Sequence, residues 1–308
     1  GYIILLGLLV WSLVAYNTRR LIADKVRLEQ IVKERTAEIV AQKEELELQR
    51  DRIFEQNEEI KSSINYASRI QNALLTPKEK IDEIFNDYFI LFLPRDIVSG
   101  DFYWHTQIGN RKICVVADST GHGVPGGFMS MLGIAFLTQI TAKGEKFTAS
   151  QMLDQLRSMI ISSLHQTGKV GENKDGMDLA LYIIDTDTGM LEFAGAYNPL
   201  VIIRDNELIQ IKGDKMPIGI HIRHETPFTN NVMEYKEGDV IYTFSDGYPD
   251  QFGGPGQRKF MVKNLKELFL KIHHLPMDEQ RELLHQRLNS WQGDNSRIDD
   301  IVIMGVRL

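Results

Sequence analysis

The chain has 308 residues, of which 43% are hydrophobic and 25% are charged. This composition excludes wholesale disorder and allows one or two domains with a sizeable core. The formal net charge of -7 argues against a general nucleic-acid binder, whose binding surface is normally strongly basic. The single cysteine, Cys114, excludes an internal disulfide and a cysteine-based zinc site, and its apolar neighbours indicate core packing.

The first predicted element is an apolar helix, Tyr2–Tyr16, which is uncharged throughout and is followed by Arg19 and Arg20. A helix of this length spans only about 22 Å, which is shorter than a bilayer core of about 30 Å. A buried helix of a soluble domain is the alternative. Because the run is apolar on all faces and ends in aromatic residues and then arginines, we favour the C-terminal part of a transmembrane helix, residues 1–17. The basic residues place the rest of the chain in the cytoplasm.

The second predicted element is a coiled-coil stalk, residues 18–75. Apolar residues recur there at strict seven-residue spacing, and no proline occurs before Pro77. This spacing favours a parallel coiled coil and therefore a homodimer. The residues at this heptad position are Val32, Ile39, Leu46, Ile53, Ile60, Ala67 and Leu74.

The second heptad position of the stalk is polar, and we call it the polar seam. It begins with Leu28 and returns to Ile70, and between them it consists of Arg35, Gln42, Gln49, Gln56 and Ser63. Polar residues in a seam lower the stability of a coiled coil, so a solvated single helix is the alternative. We interpret the stalk as a metastable dimeric rod that transmits a signal by a change of register or crossing angle. The stalk has no histidine, so it lacks the phosphoacceptor of a histidine kinase.

The third predicted element is a globular domain, residues 76–308. Apolar runs separated by turns that contain Gly or Asn predict strands over residues 88–93, 112–117, 179–185, 191–196, 200–204, 240–245 and 301–306. Apolar residues at helical spacing predict helices over residues 128–141, 149–166, 262–273 and 278–291. Strands in groups, with helices between the groups, indicate an α+β fold with largely antiparallel sheets.

A glycine-rich segment follows the strand predicted over residues 112–117. Gly121, Gly123 and Gly126 form a G-x-G-x-x-G pattern. A dinucleotide-binding fold also needs a second parallel strand that ends in an acidic residue about 20 residues later. Here a helix, a polar segment and another helix follow, and Pro125 lies inside the pattern. The sequence therefore argues against a dinucleotide site.

Four aspartates lie at the ends of predicted strands, namely Asp101, Asp118, Asp246 and Asp299. Carboxylates in such positions, followed by Gly or another small residue, can converge at one pole of a sheet. Several carboxylates without cysteine or clustered histidine suit hard divalent cations such as Mg²⁺ or Mn²⁺. For each aspartate taken alone, the alternative to metal binding is a structural role in a turn or as a helix cap. Together they predict a shared metal site, and the glycines would let the backbone pass close to the ions and to a phosphate.

Seven short motifs of this domain occur in an order that resembles the SpoIIE/RsbU-type branch of the PPM (PP2C-like) serine/threonine phosphatases. They read "DIVSGDFYW", "ADSTGHGVPGG", "DGMDLALYIID", "AGAYNPLVII", "MPIGI", "YTFSDGYPDQ" and "DDIVIMGV". The resemblance covers essentially all of residues 76–308. It implies a PP2C-like β-sandwich flanked by helices, with two Mn²⁺ or Mg²⁺ ions at one edge of the sandwich.

The resemblance also implies roles for individual residues. Asp118 would bridge both ions, and the backbone carbonyl of Ser119 would bind one of them. Asp246 and Asp299 would complete the other site, and Asp101 would bind the second ion directly or through water. Two motifs depart from the family: Gly-Gly-Asp is replaced by Ser99-Gly100-Asp101, and Asp-Gly or Asp-Val by Asp118-Ser119. Both changes are small and keep the carboxylates.

Other residues are secondary candidates. Asp175 and Asp178 could hold a weaker third metal ion, with a turn or a strand-face role as the alternative for each. Gly121, His122 and Gly123 would form a loop near the site. His122 is a candidate acid for the leaving group, and a structural role in the loop is its alternative. Arg95 does not match the spacing of the phosphate-binding arginine of eukaryotic relatives.

The implied activity is hydrolysis of phosphoserine or phosphothreonine in a protein by a metal-activated water, without a protein nucleophile. By resemblance, the usual substrate is a phosphorylated STAS-domain anti-anti-sigma factor. The apolar helix and the stalk resemble the signalling portion of bacterial receptors, which predicts residence at the inner (cytoplasmic) membrane with the phosphatase domain in the cytoplasm. The alternative is a catalytically silent module that binds a phosphoprotein or transmits dimer geometry.

Overall fold

The computed structural model describes residues 1–142, 144–169 and 171–308. It separates the chain into two compact units, Gly1–Ser63 and Ile64–Leu308. One helix, α1 (Tyr2–Leu74), forms nearly all of the first unit and begins the second. Its sequence is rich in Glu, Gln, Lys, Arg and Leu, which favour helix, and proline first occurs beyond its end.

In the first unit, the residues of the apolar heptad position are exposed. From Val32 to Ile60 their exposed fractions lie between 57% and 64%. Among the described residues, two helices are long and apolar enough to cross a membrane by length and composition alone, α1 near the N-terminus and α3 (Gly123–Ala142). Part of α3 is buried in the second unit, as in a core helix, whereas the apolar window of α1 is not buried. The membrane segment, the paired stalk and the predicted domain boundaries stay predictions.

Within its described residues, the second unit contains two antiparallel sheets and six further helices. The helices are α2 (Lys78–Ile84), α3, α4 (Ala149–Ser163), α5 (Gly247–Asp250), α6 (Val262–Ile272) and α7 (Met277–Gln292). The strands of the two sheets are β1 (Tyr88–Leu93), β2 (Phe102–Ile108), β3 (Arg111–Ser119), β4 (Met177–Asp185), β5 (Met190–Ala196), β6 (Leu200–Arg204), β7 (Glu207–Ile211), β8 (Asn231–Glu234), β9 (Val240–Phe244) and β12 (Ile301–Arg307). A separate two-stranded ribbon pairs β10 (Phe252–Gly253) with β11 (Arg258–Lys259).

The two sheets pack face to face. One has the strand order β1-β12-β9-β6-β7 and the other β2-β3-β4-β5-β8, and their strand pairs are antiparallel. Alternate residues of the strands fill a core between the sheets, for example Val116 and Tyr182 against Val302. The other faces carry helices, with α3 and α4 on the β3–β4 sheet and α6 and α7 on the β9–β12 sheet. The predicted α+β sandwich flanked by helices is confirmed. Cys114 is buried in the central core, as predicted.

The predicted strands are all present, and their ends agree within two residues. The sequence patterns did not predict β2, β7, β8 and the β10–β11 ribbon, nor α2 and α5. The strand β2 was missed because polar residues, His105 to Gln107, interrupt its apolar pattern.

The start of α3 was predicted wrongly. The helix begins at Gly123, not at Phe128, so residues 123–127 of the glycine-rich segment are helical, whereas Gly121 and His122 lie outside the helix. Glycine is a weak helix former, which hid this turn from the sequence analysis. Tertiary packing explains the glycines, because a Cβ on Gly126 would lie 2.2 Å from the Gly121 carbonyl oxygen. Pro125 is tolerated because it lies in the first turn of the helix.

Candidate functional site

The predicted aspartates meet around a pocket of about 200 Å³ at one pole of the sandwich. Three chain segments bring them there: β3 ends with Asp118 and Ser119, β9 is followed by Asp246, and Asp299 precedes β12. Asp246 starts the short helix α5, but its side chain makes no capping hydrogen bond, which argues against a mere cap role. The pocket is lined by Asp118, Ser119, Thr120, Gly121, His122, Asp178, Asp246 and Asp299.

The two candidates for a third metal site lie in different places. Asp178 lies on β4 directly opposite Asp118 on β3, and it lines the pocket. Asp175 lies in the loop before β4, and it does not belong to the pocket lining. Its backbone carbonyl accepts a hydrogen bond of 2.6 Å from Gln166 Nε2. The structure therefore brings Asp178, but not Asp175, to the other aspartates.

The pocket concentrates negative charge. Burial, followed by the charges of Asp246, Asp299 and Asp178, raises the pKa of Asp118 to about 8. Burial and the charge of Asp246 raise the pKa of Asp178 to about 7. Burial and the charge of Asp299 also raise the pKa of Asp246. Carboxyl groups that are held this close resist ionising together, and a divalent cation among them would relieve that repulsion.

Asp101 lies next to this pocket, immediately before β2, and is only 2% exposed. Burial and the charge of Asp118 hold its pKa well above the ordinary value, whereas a hydrogen bond with Ser245 lowers it. Its Oδ2 is buried and has no hydrogen-bond partner among the described residues. A buried carboxylate oxygen normally has a partner, so this atom is suited to a bound cation or an ordered water.

The segment that carries Asp101 is held by two buried side chains that the sequence analysis missed. Asp300 accepts hydrogen bonds of 2.7 Å from the backbone N–H groups of Arg95 and Gly100. Gln71, near the end of α1, bonds to both the N–H and the carbonyl of Ser99. The paired aspartates of "DDIVIMGV" were a visible signal for Asp300, whereas nothing in the sequence marked Gln71.

His122 at the rim of the pocket is paired with Asp96. His122 Nδ1 lies 2.9 Å from Asp96 Oδ2, and both side chains are nearly half exposed. The next residue, Gly123, has a φ of +64°, which a residue with a side chain rarely adopts, and a Cβ there would lie 3.3 Å from Asp96 Oδ2. Arg95, next to Asp96, donates from Nη1 to the Ile298 carbonyl and is not among the residues that line the pocket.

Comparison with known proteins identifies the family. The family model of Stage II sporulation protein E (SpoIIE) matches residues 109–308. The chain belongs to the SpoIIE family. This SpoIIE-family chain is also 30% identical to the SiaA-PP2C domain of Pseudomonas aeruginosa, with a TM-score of 0.73, over 82% of this chain and 98% of that chain. The resemblance in the sequence motifs is confirmed, and the fold is that of PP2C-type phosphatases.

Two further solved structures share the fold of this SpoIIE-family chain. The phosphatase domain of SpoIIE from Bacillus subtilis, with a fragment of its regulatory domain, is 19% identical with a TM-score of 0.57, over 72% of this chain and 63% of that chain. The RsbU and RsbW domains of a Mycobacterium tuberculosis protein are 19% identical with a TM-score of 0.56, over 72% of this chain and 60% of that chain. No curated protein matches the chain significantly.

The carboxylates that line the SpoIIE-family pocket suit hard cations, which prefer oxygen ligands. In the described part of the chain, no group of three or more His, Cys, Asp or Glu side chains is already arranged to hold one metal ion. Mg²⁺ is commonly bound through one or two carboxylates and retains several waters, so a three-carboxylate cage is not required. A bound cation would give the unpaired Asp101 oxygen a partner and would offset the repulsion between the carboxylates, so these residues fit a metal site.

Proposed function

We propose that this chain is a divalent-metal-dependent protein phosphatase that hydrolyses phosphoserine or phosphothreonine. The observation that carries the proposal is the convergence of Asp118, Asp178, Asp246 and Asp299 on one pocket, with Asp101 next to it, in a PP2C-type fold. Asp118, Ser119, Asp246, Asp299 and Asp101 are the residues that would hold two Mn²⁺ or Mg²⁺ ions. When bound, the ions would lower the pKa of the attacking water and offset the charge of the phosphoryl group.

The chain itself contributes position and proton handling. Asp300 and Gln71 fix the backbone on either side of Ser99, so Asp101 is held in place before any ion binds. Asp96 occupies Nδ1 of His122, which leaves Nε2 of that ring to hold or release a proton at the pocket. This pairing favours an acid role for His122 over a purely structural one.

The experiment is a metal-dependence assay with p-nitrophenyl phosphate and with a phosphoserine protein. The full chain should hydrolyse both with Mn²⁺ or Mg²⁺ and lose the activity in excess EDTA. Asp118→Asn should nearly abolish hydrolysis while the protein stays folded, whereas Asp175→Asn, outside the pocket, should have little effect. Hydrolysis that persists in EDTA, or wild-type turnover by Asp118→Asn, would contradict the metal assignment.

We further propose the cellular setting from the N-terminal part of the chain. The exposed apolar segment at the start of α1 supports a membrane anchor, and the exposed apolar heptad position supports a parallel homodimeric stalk. The phosphatase unit would then be the cytoplasmic output of a receptor at the bacterial inner membrane. A STAS-domain phosphoprotein is the substrate that the family resemblance favours.

The second candidate function is a catalytically silent module that binds a phosphoprotein or transmits dimer geometry. Retention of the site aspartates argues against it, because a binding module does not need mutually repelling buried carboxylates. The two functions are distinguished by the assay above, since a silent module would bind a phosphoprotein without releasing phosphate at any Mn²⁺ concentration.

A further inference from the structure

A second cavity, of about 390 Å³, lies next to the carboxylate pocket, and Asp246 lines both. One wall is the turn between β5 and β6, Tyr197–Pro199. Another is the segment after β7, which contributes Lys212 and Lys215. Because the two cavities share a wall residue, a polypeptide with its phosphorylated residue in the first could place a neighbouring residue in the second.

The turn that forms the first wall is held rigidly. Tyr197 has a φ of +56°, which is rare for a residue with a bulky side chain, and it is 44% exposed. Its N–H donates a hydrogen bond of 2.8 Å to the Asp214 carbonyl. Gly213 packs so tightly against the turn that a Cβ there would lie 2.7 Å from the Asn198 carbonyl oxygen. The wall is therefore preformed rather than assembled by a ligand.

The polar groups of this cavity include an amide and two ammonium groups, and the Asp246 carboxylate lies at the wall shared with the first pocket. Asn198 Nδ2 is buried and has no hydrogen-bond partner among the described residues. Lys212 and Lys215 are exposed and form no ion pair within the described part of the chain. Lys266 adds a third cation nearby, where its Nζ donates a hydrogen bond of 2.9 Å to Gln210, a lining residue. A buried amide donor beside unpaired ammonium groups is suited to an anionic oxygen.

We propose that this cavity is a specificity subsite that binds an acidic side chain of the substrate polypeptide close to the phosphorylated residue. The proposal rests on the proposed phosphatase function. A glutamate or aspartate carboxylate could lie near the ammonium groups of Lys212 and Lys215, beside Asn198, which lines the same cavity. A neutral side chain such as glutamine would gain no charge attraction from the ammonium groups, and a basic side chain would bring like charges together, so the subsite selects substrates by charge.

The test uses phosphoserine peptides that differ only in the flanking residues, which are Glu, Gln or Lys. For the full wild-type chain with Mn²⁺, kcat/KM should be about tenfold higher for the Glu peptide than for the matched Gln peptide, and lowest for the Lys peptide. The variant K212E/K215E should lose or reverse this preference, and N198D should reduce it. Hydrolysis of p-nitrophenyl phosphate and the thermal unfolding midpoint are recorded for each variant, to normalise for folding and for active protein.

The matched control is K236E/K271E, which makes the same change of charge at two exposed lysines outside the cavity lining. It should keep the wild-type preference, so a loss confined to K212E/K215E would assign the effect to the cavity. Equal kcat/KM for the Glu and Gln peptides in the wild type, or an unchanged preference in K212E/K215E, would overturn the subsite while leaving the phosphatase function intact.

A failure of the proposed function is distinguishable from a failure of the subsite. If the wild type hydrolyses neither p-nitrophenyl phosphate nor any peptide, the phosphatase function fails. The subsite is then judged by fluorescence anisotropy with the same peptides, in which a Kd about tenfold lower for the Glu peptide, lost in K212E/K215E, supports it. Equal Kd values for the Glu and Gln peptides would overturn it.

Discussion

Replacing Gln71 with leucine tests whether the end of α1 positions the segment that carries Asp101. The Gln71 side chain is buried, and its Nε2 donates to the Ser99 carbonyl (2.6 Å) and to Ser130 Oγ (2.7 Å), while its Oε1 accepts from the Ser99 N–H (3.0 Å). Leucine has a similar volume but no polar atoms. The Ser99 carbonyl still has Ser130 Oγ as a donor at 3.1 Å, although the one proton of that hydroxyl is shared with the Gly127 carbonyl at 2.9 Å. The Ser99 N–H has no such second partner and is the group left unpaired.

The magnitude follows from these bonds. A buried N–H without a partner costs about 1–3 kcal/mol, and the two bonds donated by Nε2 add about 1 kcal/mol net, so we expect the free energy of unfolding to fall by about 2–4 kcal/mol. Because Ser99 is two residues before Asp101, the Mn²⁺ concentration for half-maximal activity should also rise. The measurements are denaturant unfolding in EDTA and a Mn²⁺ titration of p-nitrophenyl phosphate hydrolysis.

The matched control for this prediction is Asn72→Leu, on the next residue of the same helix. Asn72 is exposed and makes one long hydrogen bond, 3.4 Å, to Ser68 Oγ, so its replacement should change neither quantity measurably. If Gln71→Leu is as stable as Asn72→Leu and needs no more Mn²⁺, the hydrogen bonds of Gln71 do not position the Asp101 segment.

Three further predictions concern charge, the stalk and packing. Because the pKa of Asp118 is raised from 3.8 to about 8 in the fold, the free energy of unfolding of the metal-free protein should fall as the pH rises from about 4 to 8. Asp118→Asn should weaken this pH dependence, which is measured as the unfolding midpoint in EDTA. Replacing the polar-seam residues Gln42, Gln49 and Gln56 with leucine should lower the dissociation constant of the stalk dimer, as measured by sedimentation equilibrium. A triple variant that stays monomeric would refute the coiled coil. Gly253→Ala should destabilise by about 1–3 kcal/mol, because its Cβ would lie 1.8 Å from the Trp291 carbonyl oxygen, whereas Gly256→Ala, with its nearest contact at 3.9 Å, should unfold like the wild type.

Local patterns explain which strands could be predicted. The strands that carry the central core, such as β3 and β4, are continuous apolar runs that read directly as buried strands. Polar or short strands such as β2 and β8 have weak local patterns, and they form because a neighbouring strand supplies the other half of their hydrogen bonds. The first turn of α3 was hidden for a related reason, since its glycines disfavour helix locally and are required by contacts with the Asp101 segment.

The sequence by itself determined the fold class, the family and the aspartates at strand ends, because hydrophobic periodicity and motif order are local properties of the chain. The tertiary structure decided which acidic residues share a pocket: it places Asp178 opposite Asp118 and leaves Asp175 outside. It also decided which residues hold Asp101 in place, since Gln71 and Asp300 are far from it in sequence and reach Ser99 and Gly100 only when the chain is folded. The burial of polar groups against one another depends on contacts between distant segments, and no local pattern encodes it.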